Sequence, residues 1–222
     1  MKSVYVNGIT GNMGRLAVEV IENEPSLDLA GGANNTQDMK KGIMSSQPDI
    51  IIDVTRSDVV MAHMQWLIQQ RKYLLVGTSG ITEQDKQQIE SWCKIYKSTC
   101  WLVPNFSIGA ILMMKFASIA AEYFEKAEII ERHHSRKVDA PSQTAKQTAL
   151  ALEAQDVKTH IVSIREDQYQ AEQAVLLNNP NESICIEHKS FNHHSYASGI
   201  RYCLKTISAL SGYQFGINLK IN

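Results

Sequence analysis

The chain has 222 residues, of which 44% are hydrophobic, enough to bury the core of one large domain or two small ones. Its 22 basic and 23 acidic residues nearly cancel and form no long run of one sign, which argues against nucleic acid or an anionic membrane as the main partner. Its apolar runs are far shorter than the ~18 residues of a transmembrane helix. The first residues enter a strand-like stretch directly, so we expect no signal peptide and a cytoplasmic protein.

The four cysteines are widely spaced and form no CxxC pair. This spacing indicates neither a zinc cage nor a disulfide framework. Reduced thiols in a cytosolic protein are the simpler interpretation.

The first hundred residues alternate β-prone runs with helical patterns. Continuous apolar runs such as 50–54 are typical of strands buried on both faces, and short connections between strand and helix predict a parallel sheet covered on both sides. Ser57 is a candidate helix cap, and residues 82–85 form a candidate capping box. The predicted strands are 3–6, 27–30, 50–54, 73–76 and 99–103, with a further helix over 13–24.

After residue 104 the predicted elements no longer alternate strand and helix, and their order is typical of an α+β domain. Three successive predicted strands suggest antiparallel pairing in an open mixed sheet. We therefore predict an α/β fold with a Rossmann-like domain over 1–105 and 197–222 and an α+β domain over 106–196. The elements predicted in this half are helices over 108–124, 142–154 and 197–210, and strands over 128–133, 159–165, 171–177, 183–188 and 216–221, the last returning to the first domain.

A glycine turn follows the first predicted strand and opens the first helix. Gly8 permits a tight turn, Gly11 lets the backbone approach a pyrophosphate, and Gly14 allows close helix–strand packing. Asn12 and Met13 lie at the helix N-terminus, where phosphate charge is favoured. The spacing is GxxGxxG instead of GxGxxG, so a turn that merely joins strand and helix remains the alternative.

The place of the carboxylate that usually binds the adenosine ribose, after the second strand, holds no acidic residue. Residues 31–35 also contain no arginine for a 2′-phosphate, so either NADH or NADPH is the expected cofactor. Thr55 and the loop of Gly77, Thr78 and Ser79 follow two other strands and are candidate neighbours of a nicotinamide, with ordinary turns as the alternative.

The densest chemistry lies in residues 131–145, where histidines, arginines and a lysine crowd a strand end and the following loop. Such a cluster favours an anionic ligand, and the helix start at Ser142 and Thr144 offers free N–H groups for a carboxylate. An exposed basic loop is the alternative. A metal site at His133 and His134 has no third ligand at a useful spacing, so none is predicted.

Residues 133–145 resemble the HHxxKxDAPSGTA signature of dihydrodipicolinate reductases. The other matching pieces follow in the same order: residues 8–14 resemble GxxGxMG, 53–55 the D-F-T loop, 77–80 the G-T-T-G loop, and 104–109 the P-N-F-S-x-G hinge. The resemblance covers nearly the whole chain.

The resemblance implies reduction of dihydrodipicolinate (4-hydroxy-tetrahydrodipicolinate) to tetrahydrodipicolinate with NADH or NADPH, in lysine and diaminopimelate biosynthesis. It implies a homotetramer built through the second domain. His133 would be the general acid, Lys137 its catalytic partner and His134 a substrate contact, and Ser142, Gln143 and Thr144 would hold a substrate carboxylate. The implied cofactor residues are Gly8, Gly11, Asn12, Met13, Gly14, Thr55, Gly77, Thr78, Ser79, Pro104, Asn105 and Phe106.

Two other functions stay open. One is a different nicotinamide dehydrogenase with the same two-domain plan, against which the His-His-x-x-Lys run argues. The other is a dinucleotide-binding sensor or partner module without catalysis. It is motivated by departures from the family pattern at Gln143, Ala171, Gln173 and His193; Asp167 is a further departure.

Overall fold

The computed structural model describes residues 1–78 and 80–220, which form two compact units. One unit contains Met1–Phe106 and Tyr196–Asn222, and the other contains Ser107–Ser195. The strands are β1 (Lys2–Asn7), β2 (Leu27–Ala33), β3 (Ile50–Asp53), β4 (Tyr73–Val76), β5 (Thr99–Leu102), β6 (Lys126–His133), β7 (Lys158–Arg165), β8 (Ala171–Asn179), β9 (Glu182–Ser190) and β10 (Tyr213–Phe215).

The α-helices lie between the strands in the first unit and on one face of the sheet in the second. They are α1 (Asn12–Glu22), α2 (Thr36–Ser46), α3 (Ser57–Gln69), α4 (Glu83–Tyr96), α5 (Ile108–Ala121), α6 (Gln143–Glu153) and α7 (Ala197–Thr206). A short 3₁₀ helix, Ile207–Ala209, follows α7.

As predicted, the first unit is a Rossmann-like parallel sheet. Its strand order is β10-β5-β4-β3-β1-β2. The residues of β3 are entirely buried, because helices cover both faces of a parallel sheet. In the register of the sheet, Asn7 is opposite Asp53, Asp53 is opposite Val76, and Val76 is opposite Leu102. The loops that follow these four strands therefore leave the sheet at one edge, where ligands bind in open α/β folds.

Three local features of this unit differ from the sequence prediction. Helix α2 was not predicted, because its inner face consists of only Met39 and Ile43. The N-cap of α3 is Arg56 and not Ser57, which is the first helical residue. The last strand is Tyr213–Phe215, earlier than the predicted 216–221, since Gly216 takes a φ of +66° and ends the extended run. Residue 221 of that prediction lies outside the described residues. As predicted, the strand joins the first sheet, beside β5.

The second unit is a mixed sheet with strand order β7-β6-β8-β9. Strands β8 and β9 pair antiparallel, but β7 and β8 do not pair, because β6 lies between them. Strand β6 instead pairs in parallel with β7, and α6 is the crossover connection between them. Helices α5 and α6 cover one face, where the buried core includes Met113, Ala117, Ile129, Ala149, Leu152 and Val175.

Candidate active site

The glycine turn of the first unit requires glycine at two of its positions for steric reasons. Gly8 has a φ of +89°, and a Cβ on Gly14 would lie 2.1 Å from the carbonyl oxygen of Gly8. A Cβ on Gly11 would meet that same oxygen at 3.3 Å and no other atom within contact distance. Gly8 and Gly14 therefore shape the turn, whereas the exposed Gly11 has only this one tight backbone neighbour.

The N-terminus of α1 has the properties of an anion-binding site. Its N-cap is Gly11, no side chain caps it, and no acidic residue lies in its first turn. Gly11 and Asn12 are exposed. Free N–H groups and the helix dipole together favour a phosphate here, so this turn fits the pyrophosphate of a dinucleotide.

A pocket of about 530 Å³ lies beside the turn, at the carboxyl edge of the sheet. Four residues that were proposed from the sequence to bind cofactor contribute to it. The lining residues are Met13, Val54, Thr55, Arg56, Ser57, Asp58, Gly77 and Thr78.

The loop after β3 is held by a buried carboxylate. Asp53 is fully buried, and its Oδ1 accepts hydrogen bonds from the backbone N–H and the hydroxyl of Thr55, at 3.0 and 2.6 Å. Its Oδ2 lies 2.8 Å from Nδ2 of Asn7 and 2.7 Å from Nε2 of His63. Thr78 donates to the carbonyl oxygen of Thr55 at 2.8 Å. This network, which sequence analysis missed, ties the end of β1 to the two loops that line the pocket.

Replacing His63 by leucine is expected to lower the free energy of unfolding by about 3 kcal/mol, because the Asp53 carboxylate would lose a partner while staying buried. Urea denaturation of the purified variant measures this loss. Leucine at the exposed Gln65, on the same helix, is the control and should change stability by less than ~0.5 kcal/mol. Equal stabilities for the two variants would contradict the role given to the network.

The segment after β5 contributes packing to the same edge. The ring of Phe106 is buried, and a Cβ on Gly77 would lie 2.6 Å from it. The backbone of Phe106 contacts Gly199 so closely that a Cβ there would lie 1.9 Å from its carbonyl oxygen. Pro104 and Asn105 precede it and are half-buried. Ser79, also proposed from the sequence, lies outside the described residues.

At the end of β2, Asn34 occupies the region where a ribose-binding carboxylate is usual. Its Oδ1 accepts hydrogen bonds from the backbone N–H and the hydroxyl of Thr10, at 3.1 and 3.0 Å. The side chain therefore braces the glycine turn and carries no negative charge that would repel a 2′-phosphate.

In the second unit, His133 lies at the carboxyl end of β6 beside a buried glutamate. Alternate residues of a strand face the same side, so Glu131 and His133 both lie on the helix-covered face that Ala127 and Ile129 begin. Nδ1 of His133 lies 2.5 Å from Oε2 of Glu131, whose side chain is 0% exposed. The bond engages Nδ1 and leaves Nε2 as the ring nitrogen for a ligand.

The Glu131 carboxylate also joins β7 and α6 to this group. Its Oε1 accepts a hydrogen bond from Arg165 at 2.7 Å and one from the backbone N–H of Ser142 at 3.3 Å. Arg165 lies opposite His133 in the parallel register of β6 and β7 and also donates to the carbonyl oxygen of Asp139, at 2.6 Å. Sequence reasoning assigned no role to Glu131. The available signal was a charged residue on the apolar face of a strand, two positions before a candidate acid.

The electrostatics of His133 have opposing contributions. Burial lowers its pKa, the Glu131 carboxylate raises it, and the cations of Lys137 and Arg165 lower it, so the pKa lies below the usual value. Burial also opposes ionisation of Glu131, but the bond from Arg165 and the neighbouring cations outweigh it, and the pKa of this carboxyl is lowered.

Lys137 lies in the loop after β6, one turn from the two histidines. Its backbone N–H donates to the carbonyl oxygen of His134, and its ammonium lies 2.8 Å from Oδ1 of Asp139. This hydrogen bond lowers the pKa of Asp139. The Lys137 side chain as a whole is 25% exposed, so it is only partly buried.

The start of α6 offers N–H groups to an anion. Ser142 is the N-cap, and its hydroxyl accepts from the N–H of Ala145. The N–H groups of Gln143 and Thr144, in the first turn, have no carbonyl partner within the helix. Among the described residues, those with a positive φ do not include Gln143, so this position does not require the glycine of the family pattern.

The proposed substrate residues thus lie at one end of the second sheet, and the proposed cofactor residues that the structure describes lie at one edge of the first. Among the proposed substrate residues and their neighbours, Nδ1 of His134 and Nε of Arg165 are buried with no hydrogen-bond partner among the described residues. Buried polar atoms are seldom left unpaired, so these two are suited to a polar ligand.

Known family models match both parts of the chain. Residues 2–106 match the model of the N-terminal part of dihydrodipicolinate reductase, and residues 109–217 match that of its C-terminal part. The chain belongs to the dihydrodipicolinate reductase family. This assignment agrees with the resemblance in the sequence and with the Rossmann-like fold.

Individual members of the dihydrodipicolinate reductase family resemble the chain over nearly its whole length. The 4-hydroxy-tetrahydrodipicolinate reductase of Legionella pneumophila (strain Corby) is 32% identical over 96% of this chain and 97% of that protein. The enzyme of Coxiella burnetii is 32% identical over 97% of each. The dipicolinate-bound dihydrodipicolinate reductase of Paenisporosarcina sp. TG-14 superposes with a TM-score of 0.85 at 27% identity, covering 97% of this chain and 98% of that one.

None of the helices in residues 1–78 and 80–220 has the length and apolar character to cross a membrane. The same residues contain no cluster of three or more His, Cys, Asp or Glu side chains arranged for a metal ion.

Proposed function

We propose that this protein is a cytoplasmic reductase that converts 4-hydroxy-tetrahydrodipicolinate to tetrahydrodipicolinate with NADH or NADPH, in lysine and diaminopimelate biosynthesis. The observation that carries the proposal is the group formed by His133, Lys137 and the N-terminus of α6 in a chain of this family. It combines a proton donor, a cation and free N–H groups, which are the groups that reduction of a cyclic dicarboxylate requires.

In this proposal the residues of the second unit bind the substrate and supply the proton. The N–H groups of Gln143 and Thr144 hold one carboxylate at the helix N-terminus, and Lys137 neutralises negative charge on the substrate. His133 delivers a proton from Nε2 while its Nδ1–H stays bonded to Glu131. His134 adds a polar contact through a ring whose Nδ1 is buried without a partner among the described residues.

The residues of the first unit hold the dinucleotide. The turn of Gly8, Gly11 and Gly14 with the N-terminus of α1 binds the pyrophosphate, and the loops of Thr55 and Thr78 border the nicotinamide end. When bound, the reduced nicotinamide supplies the hydride. The uncharged Asn34 is compatible with a 2′-hydroxyl or a 2′-phosphate, so NADH and NADPH are both candidates.

The test is a cofactor comparison with purified protein and substrate made in situ by dihydrodipicolinate synthase. Nicotinamide absorbance should fall with NADH, NADPH or both, and the ratio of kcat/KM values gives the preference. Pyridine-2,6-dicarboxylate, a planar analogue of the substrate, should inhibit competitively with it. Absence of turnover with both cofactors in a folded protein that binds dinucleotide would favour the sensor function instead.

Two of the departures from the family pattern, Gln143 and Gln173, are compatible with the proposed roles. Gln143 takes a position in the first turn of α6 that any residue can adopt. Gln173 is buried and donates to the hydroxyl of Thr148 at 2.8 Å, so it serves the core of the unit. These observations give no support to a catalytically inactive relative.

The second sheet supports an inference about assembly. Helices α5 and α6 cover one face, while Ile130, Val162 and Leu176 lie on the opposite face and are half-buried. We infer that this face forms the contacts of a homotetramer. Light scattering at micromolar concentration should give the mass of four chains, and Val162→Lys should lower it, because an ammonium would be buried at the contact.

A further inference from the structure

The buried carboxylate of Glu131 joins three elements at the proposed acid. It contacts the imidazole of His133 on its own strand, the guanidinium of Arg165 on β7 and the backbone N–H of Ser142 at the start of α6. Its side chain is 0% exposed. Burying an ionised carboxylate destabilises the fold unless its oxygens are paired, and here both oxygens of Glu131 have hydrogen-bond partners.

This geometry determines which ring nitrogen of His133 can act on a ligand. An ionised carboxylate only accepts hydrogen bonds, so Nδ1 of His133 must carry a proton. In the neutral ring, Nε2 is then the unprotonated nitrogen, and in the imidazolium it is the nitrogen whose proton can be transferred. The two ring nitrogens therefore have separate tasks.

We propose that Glu131 is a positioning residue that fixes the tautomer and orientation of His133. Arg165 shares the same carboxylate and therefore weakens the stabilisation that Glu131 gives to the protonated ring of His133. The proposal rests on the function given above, since it assigns His133 the role of acid. The proton leaves Nε2 for the substrate as the hydride arrives, and solvent then reprotonates Nε2 while Nδ1–H remains bonded to Glu131.

The charges around His133 make Glu131 and Arg165 act with opposite sign. Removing the Glu131 charge should lower the pKa of His133, because the imidazolium loses its counter-ion. Removing the Arg165 charge should raise that pKa, because a repelling cation disappears and Glu131 is no longer shared. Besides Glu131 and Arg165, the charge that acts on His133 is that of Lys137, which is paired with Asp139. Other charged side chains of the surrounding elements, Arg136, Lys146, Glu166 and Asp167, are exposed, and β8 places Ala171 opposite His133.

The experiment compares wild type, Glu131→Gln and Arg165→Met by long-range proton–nitrogen spectra of isotope-labelled protein without ligands. The chain has seven histidines, and the signals lost in His133→Gln identify those of His133. In wild type the neutral ring should be protonated at Nδ1. The pKa of His133 should fall by about one unit in Glu131→Gln and rise by about one unit in Arg165→Met. The same change at the exposed Glu153, at the far end of α6, should leave it unmoved.

Activity supplies a second readout. The limb of the pH profile of kcat on which His133 loses its proton should move to lower pH in Glu131→Gln and to higher pH in Arg165→Met. Glu131→Gln should lose about tenfold in kcat at neutral pH and recover part of it on acidification, with little change in substrate KM. A loss caused only by poor packing would not recover in acid.

Several results would overturn the proposal. They are a neutral His133 protonated at Nε2 in wild type, a pKa that stays constant in both folded variants, or shifts of the same sign. If Glu131→Gln does not fold, the direction of the shift in Arg165→Met decides the matter alone. Because the spectra need no turnover, they test the positioning role even if wild type proves inactive, which would instead refute the proposed function.

Discussion

Turnover should fall by about 10²-fold or more when His133 is replaced by alanine. The variant keeps the strand and the helix N-terminus but removes the group that supplies a proton as the hydride arrives. Measurement of kcat with enzymatically made substrate and the preferred cofactor gives the effect. Binding of pyridine-2,6-dicarboxylate, followed by calorimetry, should be weakened far less, because α6 and Lys137 remain.

Lys137→Ala provides the complementary result. Its ammonium is proposed to neutralise the anionic substrate, so the loss should appear in the KM for substrate and in the affinity for the dicarboxylate as well as in kcat. Lys158→Ala, at the exposed start of β7, is the matched control and should behave as wild type. Full activity in both His133→Ala and Lys137→Ala would remove the basis of the proposed mechanism.

Gly11→Ala should weaken dinucleotide binding by on the order of tenfold and lower the free energy of unfolding by only about 1 kcal/mol, the effect of alanine at a helix N-cap. A Cβ at this position meets only the carbonyl oxygen of Gly8, at 3.3 Å. The position is exposed at the turn that is proposed to bind the pyrophosphate, so the added methyl group would keep a phosphate from approaching the backbone. Loss of one charge-assisted hydrogen bond to the backbone costs about 1.5–3 kcal/mol, which is tenfold or more in affinity. Fluorescence titration with NADH and NADPH, together with Tm, separates the two effects.

Gly14→Ala should affect stability first and dinucleotide binding only through the loss of the folded turn. Its Cβ would lie 2.1 Å from the carbonyl oxygen of Gly8, so the turn or the helix must shift. We expect the free energy of unfolding to fall by about 1–3 kcal/mol or more, with dinucleotide binding lost as a consequence. If Gly11→Ala is the less stable variant and still binds dinucleotide normally, the assignment of the turn is wrong.

Local patterns in the sequence sufficed for most of the elements of this fold. The apolar run over 50–54 predicted the buried strand β3, and the capping box of Thr82 and Asp85 is present at the start of α4. Helix α2 was missed because two buried residues give too weak a periodic signal. Local patterns also did not predict that β7 pairs with β6 instead of β8, because strand order depends on where a crossover helix packs.

By itself the sequence determined the fold class, the family and the residue types at the proposed site, because each is expressed in motifs of a few neighbouring residues. Only the tertiary structure decided what surrounds those residues. It brought Arg165 from β7 to the carboxylate of Glu131 and connected Asp53 to His63 on α3. The reason is physical: the charge state of a buried group depends on partners that are distant in the chain, and burial makes each of those partners count.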